Sequence, residues 1–148
     1  MYRLTAKIEI MGAKSWRLEK VTEVEITRDT EKLTDECRLT LPKKIKWDGA
    51  AEIPVQRGDV VKVWLGYDGD LQLAFVGYVR DVGFKTPVVI TCEDEMFKLK
   101  QIEAKKKAYK SVNLETLLKE QGLNYPLRVM GEQSLGQYRV TADTVASL

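Results

Sequence analysis

The sequence predicts a mainly β (α+β) fold: a small, bent, antiparallel β-barrel with short helices, followed by the start of a smaller α/β portion. Three observations predict it. Apolar and polar residues alternate from Tyr2 to Ile10. An Asp68-Gly69 pair stands between two apolar, β-branched runs. The apolar residues then change phase between Val79 and Val82, beside Gly77 and Gly83, as they do where a barrel strand bulges or bends.

Taken in order, Tyr2, Leu4, Ala6, Ile8 and Ile10 share one parity and Arg3, Thr5, Lys7 and Glu9 the other, the period-two pattern of a half-buried strand. Residues 12–15 supply a turn. Trp16, Leu18, Val24 and Ile26 read as a second strand, interrupted near Val21 because Lys20 and Thr22 break its apolar parity. After a polar turn at 28–32, Leu33, Cys37, Leu39 and Leu41 align on one face, and Pro42 ends that strand. Residues 43–57 form the least regular stretch, long against the roughly 4–6 residues usual for a connection. Two readings stand for its Trp47 and Ile53: they fold back onto their own core, or Trp47, with Ile53 and Arg57, meets a neighbouring subunit, as interface aromatics do.

The central unit opens with Arg57-Gly58-Asp59, read as a plain turn before Val60, Val61, Val63 and Leu65. Asp68 and Gly69 form the hairpin turn, because a type I′ turn requires positive φ at both central positions. On the return strand Leu71, Leu73, Phe75 and Val79 fall on one parity, and the phase change places a bulge near Arg80 and Asp81. Residues 87–92 make a third strand, handing over to a short helix that begins near Glu93 or Asp94, whose acids suit a helix N-terminus.

Beyond it, Lys105, Lys106, Lys107 and Lys110 read as a solvated edge. Asn113 is an N-cap for a helix with the apolar stripe Leu114, Leu117 and Leu118, with Val112 and Leu117 at staple positions and Gly122 as terminator. Residues 127–130 and 138–141 read as short strands, and 142–148 as the first turns of a helix that stops before completing itself. The expected organisation is a domain over 1–103 and the start of a second portion over 104–148, the chain being a piece of a longer protein.

The stretch RGDVVKVWLGYDGDLQLAFVGYV, followed by ITCEDEMFKLKQ, resembles the first domain of tailed-phage baseplate hub proteins, the group that includes late control protein D. The shared pattern is a Gly-Asp turn, the LGYDG hairpin, an F-x-G-Y return strand and an EDEM-x-x-LK helix, and it covers residues 33–101 best. The resemblance implies a structural ring protein without enzymatic activity. It would be a homotrimer in the full-length protein, joining tail tube to spike and letting DNA pass through without specific binding. It would be made in the bacterial cytoplasm and end in the virion.

Composition bounds the alternatives. With 24 Lys and Arg against 22 Asp and Glu, the net charge of +2 disfavours a dedicated nucleic-acid binder. A single-stranded nucleic-acid-binding small barrel is still the main rival, with Trp64, Tyr67, Phe75 and Tyr78 as stacking rings and Lys62 and Arg80 as charges. The absence of histidine rules out a Ser-His-Asp device and, with only Cys37 and Cys92, a Cys/His zinc site, so no metal or other cofactor is expected. A carboxylate hydrolase is the third reading; it needs two carboxylates facing each other in a pocket. No phosphate-binding or nucleophile-elbow motif occurs. The cysteines read as unpaired buried thiols. No apolar run approaches the roughly 20 residues of a membrane span.

Overall fold

The computed structural model describes residues 1–45, 47, 53–123, 125, 130, 131 and 133–148. The chain divides into two compact units, Met1–Phe97 and Lys98–Leu148. The first contains β1 (Leu4–Met11), β2 (Ser15–Leu18), β3 (Glu23–Thr27), β4 (Glu36–Thr40), β5 (Val60–Tyr67), β6 (Asp70–Val82) and β7 (Val89–Glu93). Helix α1 (Met96–Leu99) straddles the boundary in sequence, and β8 (Ala108–Asn113), α2 (Leu114–Glu120), β9 (Ser134–Arg139) and a 3-10 turn, Val145–Ser147, follow.

The seven strands form one antiparallel sheet in the order β2-β1-β5-β6-β7-β4-β3. Every strand turns alternate residues to a single core: Ile8 and Ile10, Cys37 and Leu39, Val61 and Val63, Phe75, Val79 and Val82, Ile90 and Cys92. Trp16 and Leu18 from one edge strand and Val24 and Ile26 from the other pack against that same core. The sheet therefore curls around its core, but it is not closed into the expected barrel, since β2 and β3 share no ladder. The reason lies in the stretch read as one interrupted strand. β2 is only four residues long and pairs with Ile8–Met11 alone. The chain then breaks parity at Lys20 and Thr22 and joins β4 at the opposite edge.

Two bulges set the curvature. One lies between Val79 and Asp81, where the change of apolar phase placed it. The second lies at Ala74, between the pairs Val63–Phe75 and Trp64–Leu73. It corrects the expected parity: Phe75 and Val79 face the core, whereas Leu73 lies opposite Trp64 on the outer face, 54% exposed. A bulge frees a backbone carbonyl, and here each one accepts a guanidinium: Ala74 O from Arg28, and Arg80 O from Arg57 at 3.3 Å. Gly77 sits between the bulges, where a Cβ would lie 2.1 Å from Glu93 O, so this close approach of β6 and β7 requires glycine.

The smaller unit pairs β8 with β9 around Ala104, Val112, Leu117 and Val140. The expected cap is present, Asn113 Oδ1 accepting from Thr116 N at 2.8 Å, with the staple pair Val112 and Leu117 both buried. The stretch read as a lysine edge leads into β8. Lys106 pairs with Asp143 and Lys107 with Glu120, all at the surface. Buried Gln121 holds the backbone of Lys105 from both sides, accepting from its N–H at 2.6 Å and donating to its carbonyl at 3.2 Å. The strand read over 138–141 begins earlier, at Ser134, and the expected last helix is the 3-10 turn. Of the strand read over 127–130, all but Met130 lies outside the described residues. Among the described residues, no helix is long and apolar enough to cross a membrane.

Candidate functional site

Residues read as a subunit contact occupy different environments. Trp47 is in the core, 8% exposed, its ring edge-on to Trp16 at 5.3 Å. Ile53 packs against the same cluster, so both follow the fold-back reading. Arg57 is exposed in the turn before β5, with its guanidinium 5.2 Å from the Phe97 ring. Gly58 has φ of +94°, and Gly58 N donates to Val79 O at 2.8 Å, so the Arg-Gly-Asp tripeptide is a turn bound to β6. At the hairpin, Tyr67 pairs with Asp70, and Asp68 and Gly69 between them have φ of 50° and 88°. The Asp68 carboxylate accepts from Arg3 N at 2.9 Å and fastens the hairpin to β1.

The strongest electrostatic feature surrounds the bulge at Arg80. Glu36 on β4 and Glu93 on β7 stand directly opposite each other, and Glu93 is 3% exposed. Arg80 Nη1 lies 2.7 Å from a carboxylate oxygen of each, so one cation joins two acids that would otherwise repel. Hydrogen bonding to Arg80 holds the Glu36 carboxyl below its ordinary pKa. The same bonds, to Glu93 first and then Glu36, raise that of Arg80. Beside them Tyr78 donates to Glu95 at 2.7 Å and stacks on Phe97 at 5.9 Å. Sequence reasoning missed this cluster; its one trace was the phase change at Arg80.

This geometry bears on both rival readings. The four rings of the nucleic-acid reading share no surface. Phe75 is in the core, Tyr78 is buried beneath Phe97, Trp64 lies under Lys7 with the ammonium 4.0 Å from the ring, and Tyr67 is exposed at the hairpin. Arg80, one of its two charges, is engaged by Glu36 and Glu93. The hydrolase reading needs two carboxylates free to exchange protons, and the facing pair is bridged by an arginine instead. Among the described residues, no group of three or more His, Cys, Asp or Glu is placed to hold a metal ion. Cys37 and Cys92, 55 positions apart in the chain, are cross-strand partners; both are buried free thiols, Cys37 pushed up to about 12 by burial.

No family profile matches the sequence, nor does any curated protein. The fold, however, is one found in phage tail proteins. The chain is similar to the tail protein from Neisseria meningitidis MC58, with a TM-score of 0.61 and 16% identity over 97% of this chain and 43% of that one. It is also similar to the 43 kDa tail protein of prophage MuSo2 from Shewanella oneidensis, with a TM-score of 0.63 and 17% identity over 98% of this chain and 46% of that one. The chain thus spans less than half the length of either solved tail protein, and at these identities the likeness is one of fold.

Proposed function

We propose that the chain is a structural component of a phage or prophage tail, in the baseplate hub, where three copies form a ring that joins tail tube to spike. The observation that carries this is the fold likeness to two tail proteins over nearly the whole chain. The hairpin, return strand and helix motifs that resemble the hub group add to it. The ring works by surface complementarity and symmetry, without turnover, and leaves a passage for DNA. Its partners are further copies of itself and the tube and spike proteins.

Two measurements separate the levels of this reading. Gold-labelled antibody on induced particles should mark the tail end distal to the head; label absent from particles would overturn the tail assignment. Light scattering on the full-length protein should give the mass of a trimer. A monomer at about 100 μM, far above the concentrations at which stable interfaces dissociate, would remove the ring and leave the tail assignment standing.

A further inference from the structure

We propose that the free edge of β1 at residues 4–7 takes an extended, acidic segment of a partner protein as an added strand. β2 pairs only with Ile8–Met11, so the first half of β1 has β5 as its one neighbour. Backbone groups along an antiparallel strand alternate sides. Arg3 turns its N–H and C=O toward Asp68, since Arg3 N donates to Asp68 Oδ1 and Arg3 O accepts from Asp68 N, each at 2.9 Å. Leu4 and Ala6 therefore aim theirs the other way, into a cleft of about 690 Å³. Among the described residues nothing pairs with these groups, and they are the template an added strand uses.

The cleft supplies side-chain recognition as well. Leu4, Val21, Val24 and Leu71 give it an apolar lining, and Leu4 is 75% exposed. Its charged residues are Arg3, Lys7, Arg17 and Lys20 against Glu19 alone. Lys7 pairs with Glu9 and Arg17 with Glu19, each at 3.5 Å, while Arg3 and Lys20 form no ion pair among the described residues. A strand carrying apolar residues on one parity and carboxylates on the other matches both features. The inference rests on this edge and is independent of the tail assignment.

The test uses the chain as it stands and two fluorescent eight-residue peptides, one alternating Val with Glu and the other Val with Lys. The Glu peptide should bind at least about tenfold more tightly than the Lys peptide at low salt, with the preference shrinking as salt rises. Bound peptide should shift the Leu4 and Ala6 amide signals above all others. Ala6→Pro deletes one cleft-facing N–H and leaves the β5 ladder its partners, so it should abolish binding; Lys20→Glu should weaken it severalfold. No binding of the Glu peptide up to about 1 mM, equal binding of both peptides, or amide shifts elsewhere would each overturn the proposal. Should Ala6→Pro unfold the protein, the amide map on the unaltered chain decides alone. Self-association of the chain that Lys20→Glu abolishes would assign the edge to a second copy and overturn the partner.

Discussion

Replacing Arg80 by Met removes the cation that bridges two facing carboxylates while keeping most of the side-chain volume. Breaking a fully buried ion pair costs about 3–5 kcal/mol, whereas an exposed one is worth about 0–1. This cluster lies between those limits: the Glu93 side chain is 4% exposed, and those of Arg80 and Glu36 are 33% and 36%. A loss of about 2–3 kcal/mol at pH 7 follows, equivalent to a fall in Tm of about 10 °C for a unit of this size. The pH dependence distinguishes this account from lost packing. Hydrogen bonding to Arg80 lowers the Glu36 pKa in the folded protein, so its contribution is present above the unfolded value of about 4.3 and is lost as pH falls through the folded one. Urea unfolding of both proteins at pH 7 and pH 3 should therefore show a gap that narrows in acid. A gap below about 0.5 kcal/mol at pH 7, or one unchanged at pH 3, would mean that solvent screens the cluster and that the bulge does not depend on it.

Trp47→Ala should lose about 3–5 kcal/mol of stability in chemical unfolding, because the ring is buried against Trp16 in the core; a loss under about 1 kcal/mol, with changed oligomer mass, would return Trp47 to a subunit contact. Gly69→Val should cost at least about 1–3 kcal/mol, since φ of 88° excludes a β-branched side chain, and an unchanged Tm would refute the assigned turn strain. Cys37 and Cys92 should react with a thiol reagent in denaturant without reductant and hardly at all in the folded protein, where both are buried; failure to recover either in denaturant would demonstrate a disulfide.

The features legible in the sequence were those fixed by short-range chemistry. The β1 alternation, the Asp68-Gly69 turn and the Asn113 cap each depend on residues a few positions apart, and each has the geometry its residues require. What long-range pairing decides was not legible. Nothing in Trp16, Leu18, Val24 and Ile26 indicates that the first two belong to one edge of the sheet and the last two to the other. The four residues hold a single parity, and only the ladders separate them. The missing closure follows from the same fact, because a barrel needs β2 and β3 to be neighbours.

The two bulges show where pattern reading stops. At Arg80 the apolar residues shift phase with the backbone, so the extra residue leaves a mark in the sequence. At Ala74 they do not shift. Leu71 and Leu73 keep the parity of Phe75 while the backbone turns them outward, and leucine on an outer face cannot be told from leucine in a core by spacing alone. What identifies this bulge is distant: Arg28, 46 residues earlier, donates to the Ala74 carbonyl that the ladder leaves free. Arg57 does the same for the Arg80 carbonyl across 23 residues. Each freed carbonyl finds a guanidinium donor, so the curvature of β6 is supported partly by two arginines outside it. The site with the most electrostatic character in the unit, Arg80 with Glu36 and Glu93, coincides with one of these two irregularities. The extra residue at Arg80 lets Val79 and Val82, three positions apart, both face the core, which no regular strand could do, while Tyr78 and Arg80 stay on the face that carries Glu93.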